Sequence, residues 1–236
     1  IPGLISISPD ITIAQLLNHT SGLADLFNEA TRVGLETDVG HAWTSDEVLG
    51  TLGEPWYAPG EAWAYSNTNY LLLTLIVEEV TGEPLESVIA TRITGPLGLG
   101  STTVLSGGDG EPMDPAWATI FRGSGAMVST AADLARWGDA LFAGPVLPAG
   151  SRREMLDFNE DDYGLGLQRI ELGGLPGYGH TGLLNTDTTL LLHVPSSDVT
   201  VALIANRARV DLDLMMRAHP AEFEPSLLEL ATERRR

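Results

Sequence analysis

Apolar residues change their rhythm along this chain at Tyr163. Ahead of it they recur in helix-length stretches set off by capping residues, Gly and Pro; after it they come in the short runs that strands make. The strongest stretch of the first kind, Leu71-Leu72-Leu73-Thr74-Leu75-Ile76-Val77, is apolar on nearly every face. It predicts a helix from Thr68 to about Val80 buried in the middle of a domain. With Thr68 as its N-cap, Tyr65 and Asn67 fall side by side in the loop that precedes it, held by the packing behind them. Thr12-Ile13-Ala14-Gln15 and Thr44-Ser45-Asp46-Glu47 are capping boxes that open short helices, the first from Ile13 to Asn18 and the second reaching Leu52. Residues 24 to 43 between them are irregular and are expected to form a loop over a cleft.

Thr81-Gly82 closes the apolar helix, Glu83-Pro84 opens another from Leu85 to Ile93, and Gly95 to Gly100 makes a compact turn. Residues 101 to 121 are rich in Gly, Pro, Asp and Ser and are expected to be a long surface loop. Gly123 to Val128 is a small-residue strand or turn. Thr130 caps a helix reaching Phe142, and a further helix runs from about Ala149 to Leu156. Beyond Tyr163 the strand-like runs are Tyr163 to Ile170, Tyr178 to Leu183, Thr188 to Val194 and Val199 to Ala205. Their connections are too short for parallel crossovers, so the sheet is antiparallel. Val210 to Ala218 and Pro225 to Glu233 suggest helices covering one of its faces. The fold class is therefore α+β, with a mainly helical lobe over 1–162 and antiparallel strands with C-terminal helices over 163–236.

Composition narrows the partners. With 43% hydrophobic residues in 236, the chain is long enough for one good core or two small ones. A formal charge of −19, from 32 acidic against 13 basic residues, argues against nucleic acid and anionic membrane surfaces. All the basic residues are Arg; the chain contains no lysine. It contains no cysteine either, which excludes thiolate chemistry, and its five scattered His give no metal-ligand spacing, so neither metal nor cofactor is expected. No apolar run approaches the roughly 20 residues that span a bilayer.

Candidate chemistry starts at the turn Pro59-Gly60 and the Tyr65-Ser66-Asn67 that follows it. A phenol can accept a proton if a neighbouring cation lowers its pKa from about 10, and an amide offers a substrate both a donor and an acceptor. His19-Thr20-Ser21-Gly22 invites a nucleophile reading, but adjacent Thr and Ser at a helix exit usually satisfy backbone groups. Neither Ser21 nor Ser124 stands in a Gly-x-Ser-x-Gly elbow.

Four landmarks, taken in order and with their separations, carry a resemblance: Ile11 to Leu23 with its His-Thr-Ser-Gly; Pro59-Gly60 with Tyr65-Ser66-Asn67; Ser129-Thr130-Ala131-Ala132-Asp133-Leu134; and Tyr178-Gly179-His180-Thr181-Gly182. The set resembles the serine β-lactamase and penicillin-binding family, in the branch of class C β-lactamases, D-Ala-D-Ala carboxypeptidases and related esterases. The resemblance implies a β-lactamase/transpeptidase-like fold and acyl-enzyme hydrolysis of D-alanyl peptides, β-lactams or small esters. By the same resemblance Tyr65 works as or with the general base, and Asn67 binds the substrate's amide side chain. Thr181 meets the substrate carboxylate, Gly182 completes the binding element, His180 shapes the field at Tyr65, and the backbone N–H of Leu183 is an oxyanion donor. Histidine for the more usual lysine replaces a cation of pKa above about 10 by one of about 6.5, which makes activity sensitive to pH near neutrality.

The departures are as informative. The family's nucleophile belongs to a Ser-x-x-Lys element, which a chain without lysine cannot contain. The resemblance thus implies the C-terminal part of a hydrolase, short of its nucleophile helix and N-terminal strands, inactive alone and poorly soluble without the missing segment. Leu183-Leu184-Asn185-Thr186-Asp187 also replaces the Gly-rich, aromatic continuation of relatives. The alternative is a non-catalytic binding or regulatory module that uses the remnant cleft. Expected partners are a small-molecule or peptide substrate and the absent N-terminal segment. Family habit implies an extracellular or cell-envelope location.

Overall fold

The computed structural model describes residues 10–144, 146–184 and 186–212. Its contacts divide the chain into two compact units, Ile1–Gly98 with Thr102–Val128, and Leu99–Ser101 with Ser129–Arg236.

The first unit is built around α4, Thr68–Thr81. Leu71 and Leu72 are buried on it, and Gly82 ends it in the left-handed conformation, as Thr81-Gly82 predicts. Its N-cap is Asn67 rather than Thr68, because the Thr68 hydroxyl is turned inward to the Ala24 carbonyl at 2.7 Å. Helix α1, Ile13–Leu17, opens on the expected capping box, with Thr12 and Gln15 satisfying each other's backbone N–H. Its Leu16 meets Leu23 and Leu72 in one apolar cluster. The same reciprocal cap, Thr44 with Glu47, opens α3, Ser45–Leu49.

Two stretches expected to be loops carry structure. Within 24–43 lies α2, Glu29–Thr37, started by a capping box of Asn28 and Thr31 that uses Thr in place of the usual acidic partner. Its interior Gly34 obscures the helical pattern, yet a side chain there would run into Trp43 at 2.4 Å. Within 101–121, Thr103–Val104 (β1) pairs with Met127–Val128 (β2), and Pro115–Ile120 forms α7, whose Ala116, Ala118 and Ile120 are fully buried. Small buried residues hold that helix where composition alone reads as surface. The predicted Leu85 to Ile93 helix is α over Leu85–Ile89 (α5) and then a π-helical turn, Ala90–Thr94, leading to a last short turn, Gly95–Leu97 (α6).

The second unit holds a four-stranded antiparallel meander, β3 (Gln168–Leu172), β4 (Leu175–Leu184), β5 (Asp187–Val194) and β6 (Val199–Ala205), in that spatial order. Period-2 alternation gives it two apolar sides. Leu191, Ala202 and Tyr178 pack with Leu141, Phe142 and Met155 from α8 (Ala131–Phe142) and α9 (Ala149–Met155), while Leu190, Leu192, Val194 and Val201 form a second cluster with Leu212 against it. Thr130 caps α8 through the Asp133 N–H, as predicted. Asp133 itself is buried and accepts a hydrogen bond from the Ser101 N–H at 2.8 Å, which fixes residues 99–101 in this unit. Helices α8 and α9 therefore group with the sheet. The predicted C-terminal helices lie outside the described residues beyond Leu212.

Strands β3 and β4 differ in length, and the difference shapes the site. Strand β3 pairs with β4 from Leu175 to Gly179; from His180 to Leu184, β4 pairs with β5 alone among the described residues.

Candidate active site

Each unit carries one half of the predicted machinery. In the first, the Pro59-Gly60 turn is tied to the α1 exit by backbone bonds from Gly60 to Thr20 and from Ala64 to His19, at 2.8 and 3.0 Å. The chain then runs Tyr65 to Asn69 along residues 19–25. Ser66, Thr68 and Asn69 are turned inward and fully buried, which leaves Tyr65 and Asn67 half-buried on the other side. Beneath them, His19 Nδ1 accepts from the Ser66 N–H at 3.1 Å and faces the Asn69 amide at 3.0 Å. Asn69 Oδ1 in turn accepts from the Ser21 hydroxyl at 2.5 Å. The His19 ring stacks on Tyr65 with centroids 4.1 Å apart.

This network settles the role of His-Thr-Ser-Gly. Ser21 is buried, donates to Asn69 and accepts from the Leu23 N–H, so it braces the turn rather than presenting a nucleophile. The Ser124 hydroxyl likewise serves the Phe121 carbonyl. Gly22, at φ +79°, has no room for a side chain: a Cβ there would lie 2.1 Å from the Tyr57 carbonyl oxygen.

Two features of this half were not foreseen. Asp25 accepts from the Asn67 N–H at 3.0 Å and, through both carboxylate oxygens, from the Asn67 side-chain amide at 3.2 Å. Burial, reinforced by the Asp25 charge, pushes the Tyr65 phenol above its usual value, opposite to what a proton acceptor needs. An acidic residue directly after the buried Ser-Gly-Leu-Ala run was the available signal for Asp25.

In the second unit, His180, Thr181, Gly182 and Leu183 all lie on the half of β4 that β3 does not cover. Thr181 and Leu183 are exposed, and the Thr181 hydroxyl donates to Gln168 Oε1 at 3.3 Å. Gly182 crosses the Thr189 side chain so closely that a Cβ would sit 2.3 Å from its hydroxyl, so a larger residue here would have to turn that hydroxyl aside. The His180 ring is largely buried. Its Nδ1 lies 2.5 Å from the Thr181 carbonyl oxygen, and its Nε2 lies 3.0 Å from the Tyr163 hydroxyl. Burial lowers the imidazole pKa below its ordinary value, with the Thr181 contact offsetting part of the effect. Tyr163 and Gln168 were read from sequence only as strand residues; they prove to be the groups that touch the His-Thr pair. Among the described residues no group of three or more His, Asp or Glu is placed to hold a metal, and no helix is long and apolar enough to cross a membrane.

A family model described as Beta-lactamase matches residues 6–220. Penicillin-binding protein 4 of Amycolatopsis lactamdurans is 28% identical over 241 residues, covering 83% of this chain and 59% of that protein. A D-aminopeptidase of Cereibacter sphaeroides (strain ATCC 17029 / ATH 2.4.9) is 26% identical over 219 residues, covering 83% of this chain and 42% of that one. Among solved structures, the D-amino acid amidase of Ochrobactrum anthropi SV3 complexed with D-phenylalanine is 26% identical with a TM-score of 0.74, over 90% of this chain and 69% of that one. The chain spans about half the length of the two curated relatives.

Proposed function

The chain belongs to the beta-lactamase family, and on that premise we propose that Tyr65-x-Asn67 and His180-Thr181-Gly182 serve acyl-enzyme hydrolysis of an amide or ester bond beside a D-amino acid residue. The fold is the β-lactamase/transpeptidase-like α+β arrangement expected from the sequence. The observation that carries the reading is the mounting of the two elements. A buried polar network presents Tyr65 and Asn67 on one side of a turn, and among the described residues β3 ends before the His-Thr-Gly half of β4, where Thr181 is exposed.

In this reading Tyr65 takes part in proton transfer, Asn67 binds a substrate amide, Thr181 and Gly182 are substrate-binding positions of their strand, and the Leu183 N–H is one oxyanion donor. The raised Tyr65 pKa means that a cation must be brought to it. The Ser-x-x-Lys of the family would bring one together with the attacking oxygen, and the 236 residues contain no lysine. The chain by itself is therefore expected to be inactive. The names of the relatives support D-amino acid amides and peptides as substrates.

The test has two stages. A Ser-x-x-Lys in the coding sequence within roughly a hundred residues ahead of Ile1 is expected. The protein that includes it should then be labelled by a penicillin or a fluorophosphonate, with the adduct mapped by mass spectrometry to that serine. An adduct on Ser21 or Ser124, or no adduct at all, would overturn the reading.

A non-catalytic binding module is the second reading, and one observation favours it: Asp25 already engages the Asn67 amide that a substrate would need. Equilibrium dialysis with a D-Ala-D-Ala peptide separates the two. Binding that a Tyr65→Ala, Thr181→Ala double variant abolishes, in a protein that never forms an adduct, would select the module.

A further inference from the structure

The buried imidazole against Tyr65 is fixed in one protonation state by its partners. A main-chain N–H can only donate, so the His19 Nδ1 that Ser66 reaches at 3.1 Å must hold a lone pair. Asn69 agrees with this. Its Oδ1 is taken by the Ser21 hydroxyl at 2.5 Å, and Ser21 Oγ in turn accepts from the Leu23 N–H, so it is Nδ2 that faces His19 Nδ1 at 3.0 Å. Every bond in this chain runs towards Nδ1, and a backbone N–H begins it on each side. The same residue grips Tyr65 at three places. The His19 carbonyl accepts from the Ala64 N–H at 3.0 Å, its Nδ1 from the Ser66 N–H, and its ring stacks on the phenol with centroids 4.1 Å apart. The other titratable ring packed on it is Tyr70 of α4, at 5.4 Å, whose hydroxyl donates to the Leu17 carbonyl; Trp63 approaches edge-on at 6.4 Å. Asp25, the carboxylate whose charge acts on Tyr65, is engaged with Asn67.

We propose that His19 is the positioning residue of Tyr65 and fills that role only as the neutral imidazole protonated at Nε2, so that acid unfastens the Tyr65-x-Asn67 turn by protonating a residue buried beneath it. The catalytic half rests on the reading that Tyr65 serves an acylation cleft; the tautomer and the latch do not. A proton on Nδ1 would set that nitrogen against two donors, the Ser66 N–H and the Asn69 amide, and both would lose their acceptor in a fully buried place. The ring in contact with Tyr65 is thereby uncharged, and the cation that the phenol needs has to come from elsewhere.

The first test is spectroscopic and independent of turnover. In the 15N-labelled intact gene product at neutral pH, two-bond 1H–15N correlations should show a pyridine-type Nδ1 and a pyrrole-type Nε2 for His19, assigned by their loss in His19→Asn. An Nδ1-protonated or doubly protonated ring at neutral pH would overturn the assignment. Hydrogen exchange then follows the Ser66 amide as pH is lowered. Its protection should fall by about tenfold or more as His19 takes up a second proton, the size of one buried hydrogen bond. His19→Asn keeps an oxygen acceptor close to the place of Nδ1, tolerates the left-handed backbone at this position and does not titrate, so its Ser66 protection should hold over the same range. Protection that survives protonation of His19, or that falls identically in His19→Asn, would overturn the latch.

The second test measures the rate constant for covalent labelling by a fluorophosphonate at neutral pH, in variants whose thermal melts stay cooperative. His19→Ala, which removes acceptor and stacked ring together, should slow labelling by about 10- to 100-fold, the cost of a misplaced catalytic group, and His19→Asn, which restores the acceptor, should recover part of the loss. Equal rates in all three proteins overturn the positioning role. Absence of an adduct in the unaltered protein overturns the cleft reading, while the tautomer and exchange results stand by themselves.

Discussion

His19 occupies a left-handed backbone conformation at φ 60°, where glycine or asparagine would be easier, because its ring must reach Ser66, Asn69 and Tyr65. Replacing it by Ala strands two buried donors and opens a cavity. We expect His19→Ala to cost about 3 kcal/mol in urea denaturation, most of it from the unpaired groups. Ser21→Ala should cost about 1–2 kcal/mol and leave active-site labelling of the intact protein in place, since the hydroxyl braces Asn69 and the Leu23 N–H. At His180 the folded-state pKa lies below that of the unfolded chain, so the unfolded chain binds more protons between the two values. This contribution to stability is complete above the ordinary histidine pKa and is lost as pH falls through the lowered one. Thermal melts should show a loss on acidification that is smaller in His180→Gln. At this scale the candidate residues could be named from the sequence, but their partners could not. Asp25 stands 42 residues from Asn67 and Tyr163 stands 17 from His180, separations that no local pattern spans.

Helix starts followed the capping chemistry at Thr12, Thr44 and Thr130, but not at Thr68, where Asn67 takes the cap position. Thr12, Thr44 and Thr130 each accept from the third helical N–H, as the sequence requires. Thr130→Ala is accordingly expected to destabilise the fold by about 1 kcal/mol, read as a lower denaturation midpoint, because α8 backs the sheet. Where legibility failed, tertiary contacts had replaced pattern. Helix α2 hides behind Gly34, whose missing side chain is required by Trp43, and α7 behind alanines that are buried for their smallness. The π-helical turn after α5 falls in the same class, since nothing in Ala90-Thr91-Arg92-Ile93-Thr94 marks the wider winding. The last three strands fall where period-2 alternation and turn residues coincide, whereas the run read from Tyr163 to Ile170 becomes a strand over Gln168–Leu172, with Tyr163 in an isolated bridge; the unequal lengths of β3 and β4 follow from pairing alone.

Charge acts on the molecule as a whole. A net −19 is not relieved by the few pairs that form, of which Arg122 with Glu78 and Glu86 is the least exposed described. Screening should therefore stabilise the fold: raising NaCl from about 0.05 to about 0.5 M is expected to raise Tm, and a fall would show that the surface pairs outweigh the general repulsion. The route of the chain has another consequence. Residues 99–101 are held in the second unit by Asp133, while 102–128 return to the first. Neither unit is a single stretch of gene, so recombination at one crossover point cannot exchange either intact. A crossover after Val128 would part the Tyr-x-Asn element from the His-Thr-Gly strand, but it would leave Ser101 facing a foreign residue 133, so an acceptor at that position is the condition on any such exchange.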